Sequence, residues 1–152
     1  MREPPASLIL RYTLYGVFAL TALLTVTLPF MLDTYFGYFY DAYNLLPGYR
    51  TFIMAFLIFT GAGGIWVEME MILMLRSIPT NPFISRNVQA LKRVGVILAV
   101  LAAAFTGKCI LYITLLTMVC AIIFILACLF AFTLASLFSQ AVAFREENDL
   151  TI

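Results

Sequence analysis

The chain has 152 residues, of which 64% are hydrophobic and 11% charged, with no histidine and a formal net charge of +1. Soluble domains run at about 45–50% apolar and about 25% charged, and a folded chain of about 150 residues still exposes roughly a third of its surface, so lipid is the solvent this composition implies. The missing histidines exclude His-ligated zinc or haem and every triad built on an imidazole base, and the near-zero charge offers no field for direct nucleic-acid binding.

A helix crossing about 30 Å of hydrocarbon needs roughly 20 mostly apolar residues. On that measure the sequence predicts an all-α, polytopic membrane protein, one membrane domain of four transmembrane helices. The first span is residues 8–32, interrupted only by Arg11. Arg2 ahead of an apolar run has the look of a signal peptide. The run is far longer than an h-region of about 7–15 residues and no A-x-A-like site follows, so a retained anchor is expected.

A loop at 33–50 follows, with Tyr35, Tyr38, Tyr40, Tyr43 and Tyr49 among its aromatics. Such density suits an interfacial belt, with rings at headgroup level and hydroxyls in water. Its length allows a short helix lying on the membrane and ending at Pro47–Gly48. A platform for an external peptide or apolar ligand is the sharper alternative.

The second span, 51–75, carries Glu68 and Glu70 shortly before Arg76. At 1.5 Å per residue they lie roughly 9–12 Å inside that marker, a depth where a carboxylate needs a partner or a wet cavity. At 100° per residue they point about 200° apart and cannot share a face. Arg11 has comparable depth by this reckoning, so an ion pair from Arg11 to one of the glutamates is expected to tie the first two helices. A proton or cation path is the alternative. Gly61 and Gly64 share a face where a neighbouring helix, or a second copy, can approach closely. Met69, Met71 and Met74 read as gap-fillers, not metal ligands; no metal or other cofactor is expected.

Residues 76–88 form the next loop. Pro82 disfavours helix at Asn81, and Ser85 is placed to cap a helix running into the third span. Phe83, Val88 and Leu91 are expected to pack inward while Arg86, Lys92 and Arg93 face headgroups. From Val94 to Phe144 the only charge is Lys108. That stretch is too long for one span and right for two, at 89–109 and 116–142, with a turn near Gly107–Tyr112. Gly95, Ala99, Ala102, Ala103 and Gly107 give the third span a close-packing surface. Thr133, Ser136 and Gln140 make a polar stripe on the fourth, expected to face other helices. Cys109, Cys120 and Cys128 lack metal or disulfide spacing and read as small hydrophobes. The tail, 143–152, is acidic at Glu147 and Asp149 and apolar at Leu150 and Ile152, and is expected to dock on the basic loop.

Orientation comes from the cations near the span ends. Arg2, Arg11, Arg76, Arg86, Lys92, Arg93 and Arg145 fall on one side, and only Arg50 and Lys108 on the other. The expected topology is N-in/C-in, with the 33–50 loop outside and the 76–88 loop and tail in the cytoplasm.

The pattern Pro82-Phe83, Asn87-Val88, Leu91-Lys92-Arg93 and Gly95, with the closing Glu147 to Ile152, resembles a bacterial four-helix membrane family catalogued only as domain of unknown function 2975. The resemblance implies the bacterial inner membrane and a small helix-turn-helix regulator as a cytosolic partner, and it carries over no catalytic residue. A non-enzymatic regulatory or sensory protein is therefore expected, in contact with the lipid bilayer and open to homo-oligomerisation. Cytoplasmic contacts would come from Arg86, Lys92, Arg93 and the tail. A transporter accessory subunit with a Glu/Arg polar path, or an immunity protein against a membrane-active peptide, are the alternatives.

Overall fold

The computed structural model describes residues 5–38, 48–77 and 84–149, and these form four helices. They are α1 (Pro5–Tyr38), α2 (Tyr49–Ser77), α3 (Ser85–Leu111) and α4 (Leu115–Asp149). Each contains a stretch long and apolar enough to cross a membrane. The predicted spans lie inside these helices, and the helices overrun them.

The overruns have local causes. Pro5 takes the first helical position, where a missing N–H costs nothing. α1 then continues past Leu32 to Tyr38, so Tyr35 and Tyr38 belong to a helix and not to a loop. Tyr40 and Tyr43 lie outside the described residues, as do Phe83, Leu150 and Ile152. Pro29 sits within α1 and donates no hydrogen bond to the Thr25 carbonyl. Gly48, at φ +87°, takes a left-handed turn that glycine alone adopts without strain, and its carbonyl accepts from Phe52 N at 3.0 Å to start α2.

The cap of α3 differs from expectation. Ile84, in extended conformation, is the N-cap residue and makes no side-chain cap bond, while Ser85 is already the first helical residue. The Ile84 carbonyl receives the N–H of Asn87 at 2.9 Å. The turn into α4 is also displaced, to residues 112–114, because Gly107 stays helical and Thr114 sets the new start. Its hydroxyl oxygen accepts from Thr117 N at 3.3 Å, the service an N-cap threonine performs.

α1 packs on α2, α2 on α3 and, most extensively, α3 on α4. Each pair is antiparallel. Tyr15, Thr21 and Thr25 of α1 meet Arg76, Glu68 and Gly61 of α2. Phe56, Gly63 and Glu70 of α2 meet Phe105, Leu101 and Arg93 of α3. Gly95 and Phe105 of α3 meet Phe132 and Phe124 of α4. Residue numbers rise on one helix as they fall on its neighbour throughout. The start of α1, the end of α2, the start of α3 and the end of α4 therefore share one end of the bundle, termed here the basic end for its Arg76, Arg86, Lys92, Arg93 and Arg145.

On α4 the burial pattern is the one a lipid solvent would favour. Tails of lipid are as apolar as leucine, so helices gain by close approach of small residues and leave large ones outside. Ala121, Ala131 and Ala135 of α4 and Ala90, Gly95 and Ala102 of α3 are buried, whereas Ile122, Ile123, Leu126, Leu129 and Phe130 are exposed. An alanine added at Gly95 would bring its Cβ to 3.0 Å from the Phe132 ring. Phe132 occupies the space that the glycine leaves.

Candidate functional site

The two carboxylates inside the bundle lie toward the basic end of α2. Glu70 is 7% exposed and faces α3. Arg93 grips it with both edges of a fork, Nε donating to Oε1 at 2.7 Å and Nη2 to Oε2 at 3.1 Å. Bidentate, charge-assisted pairs of this kind are about twice as strong as neutral hydrogen bonds and fix orientation as well. The guanidinium side of the pair remains 52% exposed while the Glu70 side chain is 9% exposed. The carboxylate is thus the desolvated partner, and the arginine reaches inward to it from the surface.

Glu68 faces the other way. The Thr21 hydroxyl of α1 donates to its Oε1 at 2.8 Å, and its Oε2 is buried without a hydrogen-bond partner. The two-residue spacing predicted opposite faces, and the structure uses both: one carboxylate toward α1, the next toward α3. The identity of the partners departs from expectation. Thr21 and Arg93 meet the glutamates; Arg11 meets neither. The reason is register. Thr21 lies level with Glu68, so Arg11, ten residues earlier on α1, is about 15 Å nearer the basic end at 1.5 Å per residue. Arg93 in turn is an internal clamp and not only a headgroup contact.

A second tie joins α1 to α2 nearer the basic end. Arg76 donates through Nε and Nη2 to the Tyr15 hydroxyl at 3.2 and 3.0 Å. Arg76 also lies in the last turn of α2, where a cation complements the helix dipole. On the same face of α2, Gly61 and Gly64 turn to α1. A Cβ at Gly61 would stand 2.6 Å from Thr25 Oγ1, and one at Gly64 would stand 3.9 Å from Thr21. The shared glycine face is consumed within the chain, not held open for a second copy.

The start of α3 packs as a wedge. Val88 and Leu91 are buried as predicted, and Asn87, 2% exposed, is the most deeply buried large side chain described. Arg86 and Lys92 are exposed. The tail continues α4 as helix to Asp149, with Arg145 and Glu147 exposed. The Thr133, Ser136 and Gln140 stripe faces outward, contrary to expectation: all three are exposed, and Thr133 donates back to the Leu129 carbonyl of its own helix at 2.8 Å. A threonine satisfied within its own helix needs no neighbour.

The opposite end is aromatic. Tyr112 meets Tyr49 at 4.7 Å and Phe52 at 5.4 Å between ring centroids, Phe56 meets Phe105 at 4.9 Å, and Phe105 meets Phe124 at 5.0 Å. Lys108 Nζ donates to Thr117 Oγ1 at 3.1 Å and lies 5.2 Å from the Phe56 ring centroid. The ladder links α2, α3 and α4. Sequence alone does not reveal it, because its members are spread over three helices and only the register of packing aligns them.

Among the described residues no group of His, Cys, Asp and Glu is placed to hold a metal ion, and Cys109, Cys120 and Cys128 are free thiols. The site as built is a set of polar joints: α1 to α2 through Thr21–Glu68 and Tyr15–Arg76, and α2 to α3 through Glu70–Arg93. No family model, curated protein or solved structure matches the chain.

Proposed function

We propose that the chain is a non-enzymatic regulatory protein of the bacterial cytoplasmic membrane, inserted N-in/C-in, which relays a membrane or external stimulus to a cytosolic partner such as a helix-turn-helix regulator. The observation that carries this reading is the division of the two glutamates between different neighbours. Carboxylates that line a conduit face one space. Here each is spent on a joint, and the middle helix α2 is held on both sides by polar contacts that a small rotation of α2 would exchange or break.

Two further features support the direction of the relay. Six of the eight described cations lie at the end where α1 and α3 begin and α2 and α4 finish, which the positive-inside rule assigns to the cytoplasm. The Glu70–Arg93 clamp lies about two turns from the end of α2 and the start of α3, so a change in the α2–α3 angle alters the surface offered to a cytosolic protein. The resemblance described above supplies the class of partner.

Transcript profiling tests the proposal. Cells lacking the chain, cells complemented with it, and cells complemented with Arg93→Ala are compared at equal membrane levels of protein. A small set of transcripts that shifts on deletion, returns with the wild type and fails to return with Arg93→Ala is the expected result. No change in transcripts would contradict the relay.

One observation favours a second reading, an accessory subunit for proton or cation movement: the buried Glu68 Oε2 with no hydrogen-bond partner. Under that reading, reconstituted vesicles would show a proton or cation flux lost in Glu68→Gln, with transcripts unaffected by deletion.

A further inference from the structure

Outside the joint between α2 and α3 lies a groove of about 260 Å³, lined by Trp66, Val96 and Ile97 together with Lys92 and Arg93. We propose that this groove binds one anionic phospholipid, its phosphate on Lys92 and the free edge of Arg93, its acyl chain along Trp66, Val96 and Ile97. The proposal rests on the membrane insertion argued above.

The order of chemistry along the groove is that of a phospholipid. Val96 and Ile97 follow Lys92 and Arg93 by one turn of α3, about 6 Å farther from the basic end at 1.5 Å per residue. Trp66 of α2 stands one turn before Glu70 and closes the same deep part of the groove, where it is 54% exposed. The groove surface itself is apolar, bordered by carbon atoms of all five residues, with Lys92 and Arg93 at its side nearer the basic end. Basic pockets between transmembrane helices on the cytoplasmic side are where anionic headgroups bind.

Charge complementarity selects the headgroup. Lys92 is exposed and has no hydrogen-bond or ion-pair partner among the described residues. Arg93 commits Nε and Nη2 to Glu70, which leaves Nη1 free to donate to a second acceptor. An anionic phosphate is held by both groups, whereas a zwitterionic lipid brings its own cation to the same place. The trough selects the rest. At about 260 Å³ it is smaller than the roughly 300–1,000 Å³ of clefts that enclose a whole drug-sized ligand, so it accepts a segment of a longer molecule. A phosphate on the outer edge of Arg93 also holds the guanidinium against Glu70. Occupancy of the groove therefore tightens the α2–α3 joint on which the relay depends.

Trp66 is the sole tryptophan of the chain, so its fluorescence reports this groove without labelling. The full-length protein is reconstituted in phosphatidylcholine vesicles, and phosphatidylglycerol with brominated acyl chains, or brominated phosphatidylcholine, is titrated in. Brominated phosphatidylglycerol is expected to quench at a lower mole fraction than brominated phosphatidylcholine. In Lys92→Gln its half-quenching mole fraction should rise about five-fold, the worth of one interfacial cation. Arg86→Gln, which removes an equal charge outside the groove, should leave it near the wild-type value. Equal quenching by the two lipids would overturn the site and leave only annular lipid. Equal shifts in Lys92→Gln and Arg86→Gln would reduce the preference to surface potential and overturn it too. Loss of the preference in excess inorganic phosphate would make this a soluble-anion site and overturn the lipid assignment. Quenching by neither lipid would overturn membrane insertion itself, a failure distinct from equal quenching.

Discussion

The α1–α2 pair and the α3–α4 pair are joined in different ways. α3 and α4 meet over their length through small residues and rings: Gly95 receives Phe132, Phe105 stacks near Phe124, and Ala121, Ala131 and Ala135 are buried. α1 has no buried residue anywhere in Leu8–Leu32, and among the described residues the Thr21–Glu68 and Tyr15–Arg76 bonds tie it to α2 beside a glycine seam. Packing between helices in lipid is unselective among apolar faces, whereas hydrogen bonds are discrete and can be exchanged. The first kind of joint suits a fixed hairpin. The second suits an element that shifts. α2 belongs to both halves, and Glu70–Arg93 is the ion pair, beside ring and aliphatic contacts, through which one half would act on the other.

The largest effect is expected at that contact. Arg93→Ala leaves the Glu70 carboxylate uncompensated; with the Arg93 side chain 52% exposed, the cost falls between the roughly 0–1 kcal/mol of a surface pair and the roughly 3–5 kcal/mol of breaking a fully buried one. Unfolding in mixed detergent should show a loss in that range. Adding Glu70→Gln should recover most of it, because the desolvated charge is gone. A single mutant with wild-type stability would remove the clamp from the architecture.

Glycine substitutions probe the α3–α4 half next. Gly95→Ala drives a Cβ into the Phe132 ring at 3.0 Å, and overpacking of this kind costs about 1–3 kcal/mol. Gly107→Ala meets nothing within 4 Å and should stabilise α3, by up to about 1 kcal/mol from helix propensity. Opposite signs on one helix, read in the same unfolding assay, would locate the tight contact at Gly95. Equal effects would disperse it.

The smallest effect belongs to the α1 joint. Thr21→Val removes the donor to Glu68 at nearly constant shape, and hydrogen bonds between membrane helices are worth about 0.6–2 kcal/mol. The expected loss is near the lower figure, and Glu68→Gln, which keeps an acceptor for Thr21, should lose less. A loss from Thr21→Val as large as that from Arg93→Ala would erase the contrast between the joints.

Much of this architecture is legible in the amino-acid sequence. Four long apolar helices and the antiphase of Glu68 and Glu70 follow from composition and helical geometry, and the four helices and the two-sided α2 bear them out. The glycine face at Gly61 and Gly64 is readable as close packing, though not with α1 as its partner. Register between helices is not readable in this way. Arg11 and Thr21 are equally plausible neighbours for Glu68 until the offset of α1 against α2 is known, and hydropathy carries no information about that offset. Arg93 escapes notice for a related reason: in sequence it is one member of a basic run with Arg86 and Lys92, and only the face it occupies on α3 separates a clamp from a surface charge. The Thr133–Ser136–Gln140 stripe misleads because polarity at helical spacing marks a face but not its direction.

The direct measurement is a lock across the α2–α3 joint. Gly63 of α2 faces Leu101 of α3, with the Leu101 side chain 2.8 Å from where a Gly63 Cβ would stand. A variant with Gly63→Cys and Leu101→Cys, the three native cysteines replaced, is oxidised to a cross-link in the membrane and then reduced, with transcripts profiled in both states against the cysteine-free parent. If α2 must move against α3 to pass the signal, cross-linking should shift the transcripts that depend on this protein and reduction should restore them. Identical profiles in the oxidised and reduced states, with cross-linking complete, would contradict a relay through this joint.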